Sequence, residues 1–146
     1  MIKAEDLRIG DLVIVNENCS LEQGTIGKVS EVRSTPLYKE NEGSIGLKPI
    51  SNDRWPWGVL CRNIDPIPLT PEILEKNGWK KRTEGWYFMM ISKYMYLSVE
   101  FGYENGIRVF LKRATDGLYV KLNIANNVHE LQHILWALGK DANLKI

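Results

Sequence analysis

Three observations place this chain in the α+β class. Prolines at positions 66, 68 and 71 separate two differently patterned halves, Asn105-Gly106 and Asp116-Gly117 mark hairpin turns in the second half, and leucines near the C-terminus recur at helical spacing. The expected architecture is an SH3-like small β-barrel over residues 1–69, followed by an α+β domain over residues 70–146. That second domain comprises a short helix, an antiparallel β-meander and a C-terminal helix packed on it. With 146 residues, of which 44% are hydrophobic, the chain has enough apolar side chain for such cores.

In the first half, Leu12-Val13-Ile14-Val15 reads as a β-branched strand after the turn Ile9-Gly10-Asp11. A second strand is expected over residues 25–32, its start bent by Gly24 and Gly27, with further short strands over residues 45–49 and 58–62. Short strands curled by glycines within 70 residues are what predict the barrel. Residues 36–42 are mostly polar and read as a mobile loop. The proline joint then holds the chain extended until Thr70 caps a helix over residues 71–77. Pro71 stands at its first position, Glu72 in its first turn and Gly78 past its end.

The second half predicts strands over residues 86–91, 94–101, 107–113 and 118–124. Ile107, Val109 and Leu111 alternate with Arg108, Phe110 and Lys112, so one face is core and the other at least partly wet. The last helix begins near Asn126 or Asn127 and stops at Gly139. Val128, Leu131, Leu135 and Leu138 form its apolar stripe, while His129, His133 and Trp136 project to the other side.

With 19 Lys+Arg and 18 Asp+Glu the net charge is +1. Divided after Leu69, the chain carries 8 basic and 10 acidic residues, then 11 and 8, which is −2 and +3. No global field directs the protein to nucleic acid or to a membrane. The opening residues lack an apolar leader core, and no stretch approaches the roughly 20 apolar residues of a membrane span, so a cytoplasmic protein is expected. Cys19 and Cys61 lack C-x-x-C spacing and are expected to be free thiols, with Cys61 buried.

His129-Glu130-Leu131-Gln132-His133 is a literal H-E-x-x-H motif. Two histidines one helical turn apart suit zinc, and the intervening Glu130 suits a base acting on metal-bound water. The third ligand is missing from the pattern. Trp136 and Gly139 occupy the positions where the metzincin extension needs Gly and His, and Asp141 is the sole carboxylate side chain after His133. Cys61 is an upstream candidate by analogy with peptide deformylase, yet Val59-Leu60-Cys61-Arg62 does not resemble that family's cysteine segment. A zinc hydrolase using His129, His133 and Glu130 is therefore an alternative, and zinc is expected only under it. The sequence leans away from an enzyme.

The remaining candidates are binding residues. Trp55-Pro56-Trp57 and Trp136 can stack on a base, a proline or a sugar, or else close the barrel end and the contact between the halves. Lys80-Lys81-Arg82 with Arg108, Lys112, Arg113 and Lys121 can form a basic patch, or simply a solvated sheet face. No phosphate-cradling loop, dinucleotide fingerprint or nucleophile elbow is present.

Three segments, Leu7-Arg8-Ile9-Gly10-Asp11-Leu12-Val13, residues 64–74 running to Gly78-Trp79, and Val128-His129-Glu130-Leu131-Gln132-His133, together resemble a family of small uncharacterised proteins. That family belongs to Bacteroides-type gut bacteria and their phages or mobile elements. The resemblance implies a cytoplasmic protein without established catalysis and supplies no catalytic residue. The function expected is a non-enzymatic binding or adaptor module of phage or mobile-element origin, with a protein or nucleic-acid partner and unspecified oligomeric state. Nucleic-acid binding and zinc hydrolysis are the alternatives.

Overall fold

A computed structural model describes residues 2–33, 43–51 and 55–146. The chain divides into two compact units, Met1–Ile67 and Pro68–Ile146. The expected mobile loop at 36–42 lies outside the described residues.

In the first unit, a 3₁₀ turn at Ala4–Asp6 precedes β1 (Leu12–Val15), β2 (Ile26–Arg33), β3 (Ser44–Pro49), β4 (Trp57–Leu60), a second 3₁₀ turn at Cys61–Asn63, and β5 (Ile64–Pro66). Gly10 adopts a φ of 100°, and its N–H donates to the Val29 carbonyl at 2.7 Å, while the Asp11 carboxylate accepts from the Arg8 N–H at 2.7 Å. That turn aims Val13 and Val15 into a core completed by Ile2, Ala4, Leu7, Val29, Ile45, Leu47, Val59, Cys61 and Ile64. Gly27 faces Leu47 so closely that a Cβ there would lie 2.6 Å from Leu47 Cγ, so the bend at the start of β2 also makes room for the core. Cys61 is buried and Cys19 exposed, and no disulfide joins them.

These strands do not make the expected SH3-like barrel. They form an open antiparallel sheet in the order β4-β3-β2-β1-β5. β4 and β5 are opposite edges, and no ladder joins them among the described residues. β5 is only three residues long, pairs with β1 and ends on Pro66, which has no N–H to extend a ladder. The α+β description is also only partly consistent, because the chain is mostly β: ten strands in two antiparallel sheets against two α-helices of 6 and 10 residues, among the described residues.

The second unit begins with α1 (Pro71–Lys76), whose N-cap Thr70 accepts from the Ile73 N–H at 3.4 Å. A five-stranded meander follows, β6 (Lys80–Thr83), β7 (Trp86–Met90), β8 (Met95–Glu100), β9 (Arg108–Arg113) and β10 (Tyr119–Ile124), each strand paired with its predecessor. β6 was not expected, since Lys-Lys-Arg-Thr shows no apolar alternation; its pairing with β7 across the Glu84-Gly85 turn makes it a strand. Gly106, at a φ of 98°, turns the chain between β8 and β9, and the Asn126 side chain braces the turn by accepting from the Ile107 N–H at 2.9 Å.

α2 (Val128–Ala137) follows β10 and buries Val128, Leu131 and Leu135. Leu138 is only half-buried. The segment after α2 returns to α1: Asn77 Nδ2 donates to the Lys145 carbonyl, and the Lys145 N–H donates to Asn77 Oδ1, both at 2.8 Å. Gln132 Nε2 donates to the Ala142 carbonyl at 2.9 Å. Among the described residues, no helix is long and apolar enough to cross a membrane.

Candidate nucleic-acid interface

Ladder register decides which side chains of the second sheet share a face. Three cross-strand rows emerge from the pairings. The first is Trp86, Glu100, Arg108 and Ile124; the second is Lys80, Phe88, Ser98, Phe110 and Lys121; the third is Met90, Tyr96, Lys112 and Tyr119. All three lie on one face, where aromatic rings alternate with cations. The opposite face carries Tyr87, Leu97, Val99 and Val109, all buried. Lys81 and Arg113 pair with Tyr87 and Met95 and belong to that other face, so the basic cluster read from the sequence is split by the fold.

The cations sit against the rings. The Arg82 guanidinium lies 4.6 Å and the Lys112 ammonium 4.4 Å from the Trp86 ring centre, and Arg108 stacks 3.7 Å over Tyr103. Lys112 also lies 5.0 Å from the Phe110 ring and 5.8 Å from Tyr119. Such contacts hold a charge near an apolar surface. Phe88 meets Tyr96 edge-on at 6.0 Å, and Phe110 meets Tyr119 edge-on at 5.6 Å.

Glu100 is the one carboxylate in these rows. Its Oε1 accepts from Lys112 Nζ at 2.5 Å and from the Ser98 hydroxyl at 3.0 Å, and its Oε2 accepts from the Tyr103 hydroxyl at 3.0 Å. The Trp86 indole N–H donates to the same Ser98 oxygen. Burial alone would raise the Glu100 carboxyl; hydrogen bonds from Lys112, Tyr103 and Ser98 outweigh it and hold the group below the usual carboxylate range. The bond to Glu100, in turn, raises the Tyr103 phenol.

The expected binding tryptophans are all exposed, Trp55 at 88%, Trp57 at 41% and Trp136 at 60%. Trp55 precedes β4, Trp57 opens it, and Trp136 lies on α2, so they are divided between the two units.

The H-E-x-x-H residues are placed differently from the sequence projection. His129 is buried with 5% exposure, His133 is half-buried, and their rings meet edge-to-face at 5.8 Å. Glu130 has a structural task. Its Oε2 accepts from the Asn127 N–H at 2.9 Å, and Asn127 and Glu130 together make the capping box that starts α2. Glu130 is thus tied to a backbone donor where a metal-bound water would need a base. Among the described residues no group of three His, Cys, Asp or Glu could hold a metal ion. Cys61 is buried in the core of the first unit, and Asp141 accepts from the N–H of Asn143. This donor set does not fit a catalytic zinc centre.

Sequence reading named Lys80, Arg82, Arg108, Lys112 and Lys121 but not the rings beside them, Trp86, Phe88, Tyr96, Tyr103 and Tyr119. The signal was present in the two turn dipeptides, which set the register of β8, β9 and β10. Compared with known proteins, the chain matches no family model, no curated protein and no solved structure.

Proposed function

We propose that the protein is a non-enzymatic binding module of the cytoplasm, of the kind phages and mobile elements carry, and that it binds single-stranded nucleic acid across the aromatic and basic face of its second sheet. One observation carries the reading: the register puts Lys80, Arg108 and Lys121, with Arg82 beside Trp86, among aromatic rings, while the single carboxylate of that face, Glu100, is taken up by Lys112. The exposed Tyr119 and the half-buried Trp86, Phe88 and Tyr96 offer stacking platforms worth about 1–3 kcal/mol per base, whereas Phe110 is buried, and the cations offer partners for the backbone phosphates. A sheet face with five aromatic residues among the thirteen of its three rows suits unpaired bases better than a duplex, whose bases are already stacked.

The test is fluorescence anisotropy of a labelled oligothymidylate titrated with protein over a range of salt. Affinity is expected to fall steeply with salt. The Lys80→Ala/Lys121→Ala variant should flatten the log–log slope by about 1.4, at roughly 0.7 for each single-strand phosphate that the variant no longer neutralises. Binding that ignores salt, or a variant with an unchanged slope, would sink the proposal.

A further inference from the structure

The two edges of the second sheet are built differently. β6 offers Lys80, Lys81 and Arg82, all exposed, so a second copy placed along it would meet three cations with three cations. β10 carries one charged residue, Lys121, and its start exposes Leu118 at 60%, Tyr119 at 66% and Val120 at 63%. A hollow of about 430 Å³ lined by Met95, Leu111, Leu118, Tyr119 and Val120, and by Arg113, continues that surface. Three consecutive large apolar side chains on an edge strand form the kind of surface that natural sheets cover or pair.

The backbone fixes what fits there. The Arg113 N–H donates to the Leu118 carbonyl at 2.8 Å, so the polar groups of Leu118 point to β9. By strand alternation those of Val120 do the same, and those of Tyr119 and Lys121 point away from the sheet. An antiparallel strand centred on Val120 would therefore exchange four backbone hydrogen bonds with Tyr119 and Lys121. If that strand is β10 of another copy, Val120 meets Val120 across the two-fold axis. Each Lys121 then lies opposite a Tyr119 ring, so cation faces aromatic face and no like charges are opposed. The register shift between Lys121 and Asn123 ends regular geometry beyond this segment and confines the pairing to it.

We propose that β10 is a self-association edge, through which two copies pair antiparallel about Val120 and join their second sheets into one continuous sheet. The contact is small and the dimer accordingly reversible. Sedimentation equilibrium from low-micromolar to sub-millimolar protein is expected to show the mass doubling with concentration. Val120→Lys, which sets cation against cation at an exposed position, should raise the dissociation constant at least roughly tenfold. Lys121→Pro removes an outward N–H and should act in the same direction. Circular dichroism should show both variants folded as the parent is. A monomer at every concentration would overturn the proposal and leave the edge to a strand from a different protein. A dimer unmoved by Val120→Lys would overturn it too, by placing the contact elsewhere.

Discussion

Each unit builds a five-stranded antiparallel sheet, yet the two use their outward faces in opposite ways. In the first, β2 alternates buried Gly27 and Val29 with partly exposed Lys28 and Ser30, and its far end carries the exposed ion pair of Glu31 with Arg33 at 2.7 Å. Such a pair contributes little, because water and salt screen both charges. In the second, the outward face carries Trp86, Phe88 and Tyr119 around a buried Phe110, with cations laid over Trp86 and an ion pair, Lys112 with Glu100, whose side chains are each only 14% exposed. The difference teaches that strand count and pairing say little about a sheet's use. What the alternate residues carry decides it.

The strongest way to break the comparison is to remove one core and watch the other. Leu135→Asp buries a charge where the leucine is 1% exposed, and it should cost several kcal/mol and abolish folding of the second unit. Amide NMR spectra would show loss of dispersion for residues 68–146; a native spectrum would mean that the core has been misplaced.

Glu100→Gln asks whether the outward face of the second sheet contributes to stability. Removing the charge leaves Lys112 half-satisfied among aromatic rings, at a cost of about 1–3 kcal/mol in chemical denaturation at neutral pH. The carboxyl is held below its unfolded value, so its contribution is present above the ordinary glutamate range and is lost as pH falls through the folded value. Parent and variant stabilities should therefore converge in acid, and a constant gap down to low pH would contradict the assignment.

The smallest effect is expected at Trp55, 88% exposed in the first unit. Trp55→Ala should shift stability by less than about 0.5 kcal/mol and leave oligothymidylate affinity unchanged. A loss of affinity would move the binding surface from the second sheet to the first.

Local chemistry made parts of this structure legible in the sequence. Thr70 and Pro71 marked the start of α1, the two turn dipeptides marked the meander, and the spacing of Val128, Leu131 and Leu135 marked the buried stripe of α2. What was not legible depends on long-range pairing. Closing a barrel requires its edge strands to meet, and nothing local to Trp57–Leu60 or Ile64–Pro66 states that they pair with β3 and β1 instead. The cations of the candidate interface were visible, but Trp86, Phe88 and Tyr119 become their neighbours only once the register is known. Glu130 shows the converse. A motif legible at a glance offered it, under the zinc alternative, as a base beside a metal, and the helix start uses it as a cap.

The hydrogen bonds between Asn77 and Lys145 connect residues 68 positions apart. A chain emerging from the ribosome residue by residue can form the hairpins of the second sheet early, since each strand pairs with the one before it. The end of α1 acquires these partners only when residue 145 is free of the exit tunnel. These hydrogen bonds are therefore among the last of the second unit to form, after β6 and β7 have already emerged and paired.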